Sequence, residues 1–195
     1  MAASLLLAVI AEGNARAALI AFDELPSQPV NGLVLQDVTF GFKVGGVGSA
    51  DALFSSNALG ANTTVNLQSP TLEGNANGVL TLDFAQPVSD LSFHVARLTG
   101  LTLTGATVVL FDPSLNGFAT TPVPVARLLT YSEGFFSYSG GPSVERVVVS
   151  FAAGAGPRFA IDNLAFTTAV PEPGTMLLGL LVVGAWAGAR RSRRR

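Results

Sequence analysis

The sequence predicts an all-β protein, an antiparallel β-sandwich of the jelly-roll type, with a terminal helix on either side of the domain. Apolar residues alternate with polar ones between residues 18 and 168, whereas helical periodicity is almost absent there. Turn-rich pieces such as GGVGSAD (45–51), EGNANG (73–78) and SYSGGPS (137–143) separate the alternating stretches. Many short strands at this spacing favour two packed antiparallel sheets.

The alternation defines each strand in turn. In VLTLDF (79–84), Leu80, Leu82 and Phe84 share one face, and ATVVLF (106–111) is apolar on both faces, as in a central strand. Gln86-Pro87 indicates a break before LSFHV (91–95). The predicted strands are 18–22, 37–44, 63–68, 79–84, 91–95, 101–104, 106–111, 145–151 and 158–166.

The last strand contains a change of phase. In RFAIDNLAF, Phe159 and Ile161 alternate, but Leu164 and Phe166 have the opposite parity. One extra residue at Asp162-Asn163 restores all four to one face, which predicts a β-bulge.

Residues 1–17 predict a secretory signal peptide, because an apolar run is followed by Ala15-Arg16-Ala17, a small-x-small cleavage site. No Lys or Arg precedes the run, which departs from the usual pattern. A first core helix is the alternative. The domain is therefore placed at 18–169, and a separate segment at 170–195.

Charge and cysteine content exclude several classes of function. The domain has five basic against eleven acidic residues, a net charge of −6, so nucleic acid is not an expected partner. The chain has no cysteine, which excludes disulfides, thiolate catalysis and cysteine-bound zinc. His94 is the only histidine, and no G-x-S-x-G elbow is present, so we expect no enzymatic activity. A hydrolase remains a remote alternative.

Acidic residues at both ends of the domain suggest a calcium site. Asp23, Glu24 and Asp162 come together if the first and last strands are neighbours, and carboxylate oxygens suit calcium. FDEL (22–25) and FAIDNLAF (159–166) resemble jelly-roll carbohydrate-binding modules, and this resemblance implies a structural calcium between those strands. In the alternative interpretation, Asp162 and Asn163 only satisfy backbone groups of a turn.

An aromatic cluster is the second candidate site. Tyr131 and Tyr138 flank Phe135-Phe136 in TYSEGFFSYSGG, and exposed rings of this kind stack on sugars. The alternative is a hairpin that packs onto the core.

The closing segment, VPEPGTMLLGLLVVGAWAGARRSRRR, predicts a single transmembrane helix over 175–189. Fifteen residues span only about 22 Å as a helix, less than the roughly 30 Å of a bilayer core. The positive-inside rule keeps the basic end in the cytoplasm and places the domain across the membrane. That end comprises Arg190, Arg191, Arg193, Arg194 and Arg195.

Pro171-Glu172-Pro173, the short helix and the Arg-rich end together resemble the PEP-CTERM sorting signal of Gram-negative bacteria. The resemblance implies recognition at residues 171–173 by an exosortase, a membrane protease, after a transient stay in the inner membrane. It also implies an exported, non-enzymatic protein of the cell surface or extracellular matrix, associated with exopolysaccharide and biofilm. A carbohydrate-binding module with structural calcium is the alternative function, and a permanent single-span anchor is the alternative for the segment.

Overall fold

The computed structural model of the chain describes residues 16–152, 154 and 156–168, which form thirteen antiparallel strands and no helix. This confirms the all-β prediction. The strands are β1 Ala17–Ile20, β2 Gln28–Pro29, β3 Val34–Leu35, β4 Val38–Val44, β5 Val47–Gly48, β6 Leu53–Ser56, β7 Thr71–Asn75, β8 Gly78–Arg97, β9 Leu103–Phe111, β10 Gly117–Arg127, β11 Ser132–Tyr138, β12 Val144–Phe151 and β13 Arg158–Thr168.

The two predicted terminal helices lie outside the described residues. Of the predicted signal peptide, the structure describes only Arg16 and Ala17, and Ala17 pairs with Thr167 of β13. No helix in the described part of the chain is long and apolar enough to cross a membrane.

Strand β8 belongs to both layers of the fold. Its first half, 78–84, pairs with β4 and β12, and its second half, 91–97, pairs with β11 and β13. The first layer therefore contains β4, β8, β12, β9 and β10, and the second contains β11, β8, β13, β7 and β6. Gln86-Pro87 lies within the strand, so the predicted break there is wrong. The burial pattern changes phase between Val88 and Leu91, across the less buried pair Ser89 and Asp90.

Phenylalanine rings join the two layers through one core. Phe42 of β4 and Phe151 of β12 both contact Phe159 of β13, with ring centroids 5.9 and 3.7 Å apart. Phe84 of β8 meets Phe166 of β13 at 5.2 Å. Buried aromatic pairs of this kind add about 0.5–1.5 kcal/mol each beyond the area they bury. The alternating apolar faces read from the sequence thus face one another across the sandwich.

The predicted bulge in β13 is confirmed. The pairing of β13 with β8 shifts between Asp162 and Ala165, and Asn163 has a left-handed φ of 54°. Phe159, Ile161, Leu164 and Phe166 are all buried in the main core as a result. The last half of β13 pairs with β1, so the first and last strands are neighbours.

The stretch 63–68, predicted as a strand, is a loop instead. It belongs to the segment between β6 and β7, residues 57–70, which we call the cover loop. The hydroxyl of Thr63 donates to the Leu59 carbonyl at 2.6 Å, and that of Thr64 donates to the Leu67 carbonyl at 2.7 Å. Side-chain bonds to nearby backbone groups compete with sheet pairing, so the alternation of this stretch does not produce a strand.

Candidate functional site

The outer face of the second layer carries most of the polar groups that could form a site. Because Phe93 and Val95 of β8 are buried in the core, Ser92, His94 and Ala96 lie on the opposite face. Cross-strand partners share a face, so Phe135, His94 and Asp162 form a row across β11, β8 and β13.

The cover loop packs onto one end of this outer face. Its Leu59 and Leu67 form a small apolar cluster with Ala96, Tyr131 and Ala160, separate from the main core. Beneath the loop lie three buried carboxylates, Glu73, Glu133 and Asp162, with 3 to 5 % of their surface exposed.

Each of these carboxylates has defined partners. Glu73 accepts from the Ser56 hydroxyl at 3.0 Å and pairs with Arg158 at 3.2 Å. Glu133 accepts from the backbone N–H groups of Val65 and Asn66, both at 2.7 Å. Neither Glu73 nor Glu133 is recognisable as a site residue from the sequence, because their partners lie far away along the chain.

Asp23 and Asp162 line one pocket of about 330 Å³, so the structure places these two predicted residues together. The remaining lining is mainly amide, hydroxyl and backbone groups, contributed by Ala21, Asn66, Gln68, Ser69, Pro70 and Asn163. Phe22, between Ala21 and Asp23, has a left-handed φ of 61° although its ring is fully buried. Burial of that ring holds the turn that directs Asp23 to the pocket.

Glu24 does not line this pocket. Its carboxylate accepts from the backbone N–H of Ala21 at 2.8 Å, within its own turn. Among the described residues, no group of three or more His, Cys, Asp or Glu side chains is placed to hold a metal ion. The pocket therefore offers two carboxylates together with neutral oxygen donors, such as Gln68 and Asn163.

Asp162 has an unusual environment for a carboxylate. Burial raises its pKa above the ordinary value, and the negative charge of Asp23 adds to this. The backbone N–H groups of Gln68, at 2.9 Å, and Asn163, at 2.7 Å, oppose the rise, as does nearby His94. The bond from the Asn163 N–H is the one expected if Asp162 satisfies the turn, whereas the Gln68 N–H belongs to the cover loop. Both bonds leave each carboxylate oxygen with further acceptor capacity.

Asp162 is expected to affect the pH dependence of stability. Because its pKa is raised in the folded state, the folded protein binds this proton more tightly than the unfolded chain does. The free energy of unfolding therefore rises as the pH falls through the folded pKa towards the unfolded value of about 3.9. Wild-type protein should therefore gain stability relative to Asp162→Asn between neutral pH and pH 4, as measured by urea unfolding. Asp112→Asn is the control, because bonds to Asn116 lower the pKa of Asp112, so wild type should lose stability relative to this variant, mainly as the pH falls below about 4. A pH-independent difference between wild type and Asp162→Asn would contradict the assignment.

The predicted aromatic cluster divides between the two faces of β11. Tyr131 is buried under the cover loop and only 5 % exposed. The Tyr138 ring packs on Phe118 at 5.9 Å, and its hydroxyl donates to the Pro142 carbonyl at 2.7 Å. Phe136 is buried in the main core. The fourth ring, Phe135, is 53 % exposed.

The ring of His94 packs against the ring of Phe135. The two rings lie 4.7 Å apart, at an interplanar angle of 42°. The other cross-strand neighbour of His94 is Asp162.

The predicted sorting residues, Pro171 to Pro173 and the five terminal arginines, lie outside the described residues. Residues 169–195 match the family described as the PEP-CTERM protein-sorting motif. This match confirms the resemblance seen in the sequence. The chain therefore carries the C-terminal signal of an exported exosortase substrate.

The chain is similar to solved structures of family 29 carbohydrate-binding modules. A module from Piromyces equi is 9 % identical, with 80 % of this chain and 91 % of that one covered and a TM-score of 0.44. A variant of another family 29 module, complexed with mannohexaose, is 12 % identical, with 80 and 94 % covered and a TM-score of 0.44. With identities and TM-scores this low, the ligands of those modules are not assigned to this chain. No curated protein matches the sequence.

Proposed function

We propose that this is a non-enzymatic protein of the cell surface or extracellular matrix, sorted by an exosortase and associated with exopolysaccharide. The observation that carries the proposal is the PEP-CTERM motif at residues 169–195. In this view Pro171, Glu172 and Pro173 are recognised by another enzyme. The two prolines keep the backbone extended, which suits entry into a protease site.

The described domain is compatible with a non-catalytic role. Its single histidine contacts Phe135, and its buried carboxylates are occupied by backbone N–H groups, by Ser56 or by Arg158. Each of these groups stabilises the sandwich or its cover loop. The domain thus resembles a display or binding scaffold more than a catalyst.

Replacing Pro171, Glu172 and Pro173 together with alanine is expected to abolish processing. Mass spectrometry of the protein from its native host should show the wild-type chain ending near Val170 and the variant ending at Arg195. The variant should also collect in the inner-membrane fraction, because its basic end and apolar helix are retained.

Pro113→Ala is the control for that experiment, because Pro113 is exposed in the turn between β9 and β10 and lies far from the motif in sequence. It should be processed like wild type. An uncut wild-type chain, stably resident in the inner membrane of cells that possess an exosortase, would refute the proposal.

A second candidate function, a carbohydrate-binding module with structural calcium, is supported by the convergence of Asp23 and Asp162 in one pocket. Calcium accepts six to eight oxygen ligands in flexible geometry, including amide and backbone oxygens. If calcium binds, a chelator should lower the melting temperature of wild type and leave that of Asp23→Asn unchanged. An identical wild-type melting temperature with calcium and with chelator would remove the metal site.

A further inference from the structure

A shallow groove crosses the outer face of the second layer beside Phe135. It has a volume of about 320 Å³, within the range of ligand sites. Its outward residues from β11, β8 and β13 are small: Ser137, Ser92 and Ala165 occupy one row of cross-strand partners. Small side chains flanked by a large ring produce a depression in a sheet that would otherwise be flat.

Phe135 forms an aromatic wall of this groove. The ring is 53 % exposed, yet contact with His94 on the neighbouring strand holds it in place. A ring that is fixed in this way loses little conformational entropy when a ligand stacks on it. Phe135 belongs to β11, at one edge of the layer, and is paired there with His94 of β8, so its exposure is not a consequence of a loose loop or terminus.

Polar groups surround the aromatic wall. Asp90, Ser92, Ser137, Ser139 and Thr167 line the groove with one carboxylate and four hydroxyls. A few polar groups around an apolar surface are typical of sites that orient a small ligand. Hydroxyl and carboxylate oxygens match the hydroxyl groups of a sugar as acceptors, and the four hydroxyls also donate.

We propose that this groove binds a neutral glycan chain, with a sugar ring stacked on Phe135. The side-chain charge of the groove distinguishes between glycan classes: Asp90 carries the only charged side chain of its lining, and no Lys or Arg side chain takes part. A uronate or sulfate group would meet only like charge from the lining side chains. The ligand is therefore an uncharged polysaccharide. This inference rests on the proposed association with exopolysaccharide and states which kind is bound and where.

Calorimetry on the mature protein purified from host cells tests this site. The probes are neutral hexasaccharides of glucose, mannose and galactose, with alginate and polygalacturonate as acidic probes. We expect a neutral hexasaccharide to bind and the acidic ones to fail. Phe135→Ala should weaken binding by about tenfold or more, as expected when an aromatic anchor is truncated. Phe135→Trp should bind at least as tightly as wild type, because it offers a larger face.

Leu101→Ala is the matched control, because Leu101 is 60 % exposed but lies in the loop between β8 and β9, outside the groove. It should bind like wild type. The inference is overturned if no neutral probe binds with a Kd below about 1 mM, if acidic probes bind better, or if Phe135→Ala binds like wild type. Mass spectrometry of the C-terminus tests the sorting proposal separately, so a failure of the groove can be distinguished from a failure of the sorting proposal.

Discussion

Arg97→Ala is expected to destabilise the domain by roughly 3–5 kcal/mol, among the largest effects of any single substitution here. Arg97 is fully buried at the end of β8 and donates to the carbonyls of Gly105, Ala152 and Gly156 at 2.8–2.9 Å. Its guanidinium carbon lies 5.7 Å from the ring centre of Phe151. Truncation leaves these carbonyls without their donor and opens a cavity beside Phe151.

The charge of Arg97 is balanced by carbonyl dipoles, because no carboxylate contacts it within the described residues. Burial lowers its pKa to about 10, so the side chain is still cationic at neutral pH. Arg97→Lys should recover only part of the lost stability, since an ammonium group lacks the planar fork that reaches separate carbonyls. Urea unfolding measures both. Arg127→Ala, which loses one exposed bond to the Leu129 carbonyl, is the control and should change stability by less than about 0.5 kcal/mol. Equal stability of Arg97→Ala and wild type would contradict this role.

Local alternation was sufficient to predict the strands that form the core. Leu80, Leu82 and Phe84 lie on one buried face, and the change of phase at Asp162-Asn163 is a bulge. The same rule also marks Arg97, which continues the inward series of Leu91, Phe93 and Val95. A cation at a core position is a signal that sequence reasoning could have used.

Long-range contacts set the limits of the sequence prediction. The stretch 63–68 alternates like a strand, but its N–H groups bond to Glu133, which lies 67 and 68 residues away from Asn66 and Val65. The sequence predicts Tyr131 as a platform for sugar, yet the cover loop buries it and leaves Phe135 exposed. Parity places Phe135 of β11 and Tyr131, the residue before that strand, on the same side of the sheet, but it does not say which of them a distant loop covers.

Glu133→Ala is expected to release the cover loop and destabilise the protein by about 2–3 kcal/mol. The Glu133 carboxylate accepts bonds from the backbone N–H groups of Val65 and Asn66 at 2.7 Å, and from the Asn66 side-chain amide at 3.1 Å. Without it, those backbone donors lose a charged acceptor, and bonds to charged groups contribute more than neutral ones. The apolar contacts of Leu59 and Leu67 with Tyr131 and Ala160 are then weakened.

Glu133→Ala should loosen the cover loop more than the main core, and hydrogen exchange can measure the two regions separately. The Val65 and Asn66 amides should exchange much faster in Glu133→Ala, while the amides of Phe93 and Val149 in the main core keep most of their protection. Glu133→Gln should fall between wild type and alanine, since its amide oxygen still accepts one bond but carries no charge. Glu145→Ala is the control, because it removes a carboxylate with no hydrogen-bonded partner in the described residues and should leave the loop unchanged. Unchanged exchange at Val65 and Asn66 in Glu133→Ala would show that the loop is held by its apolar contacts alone.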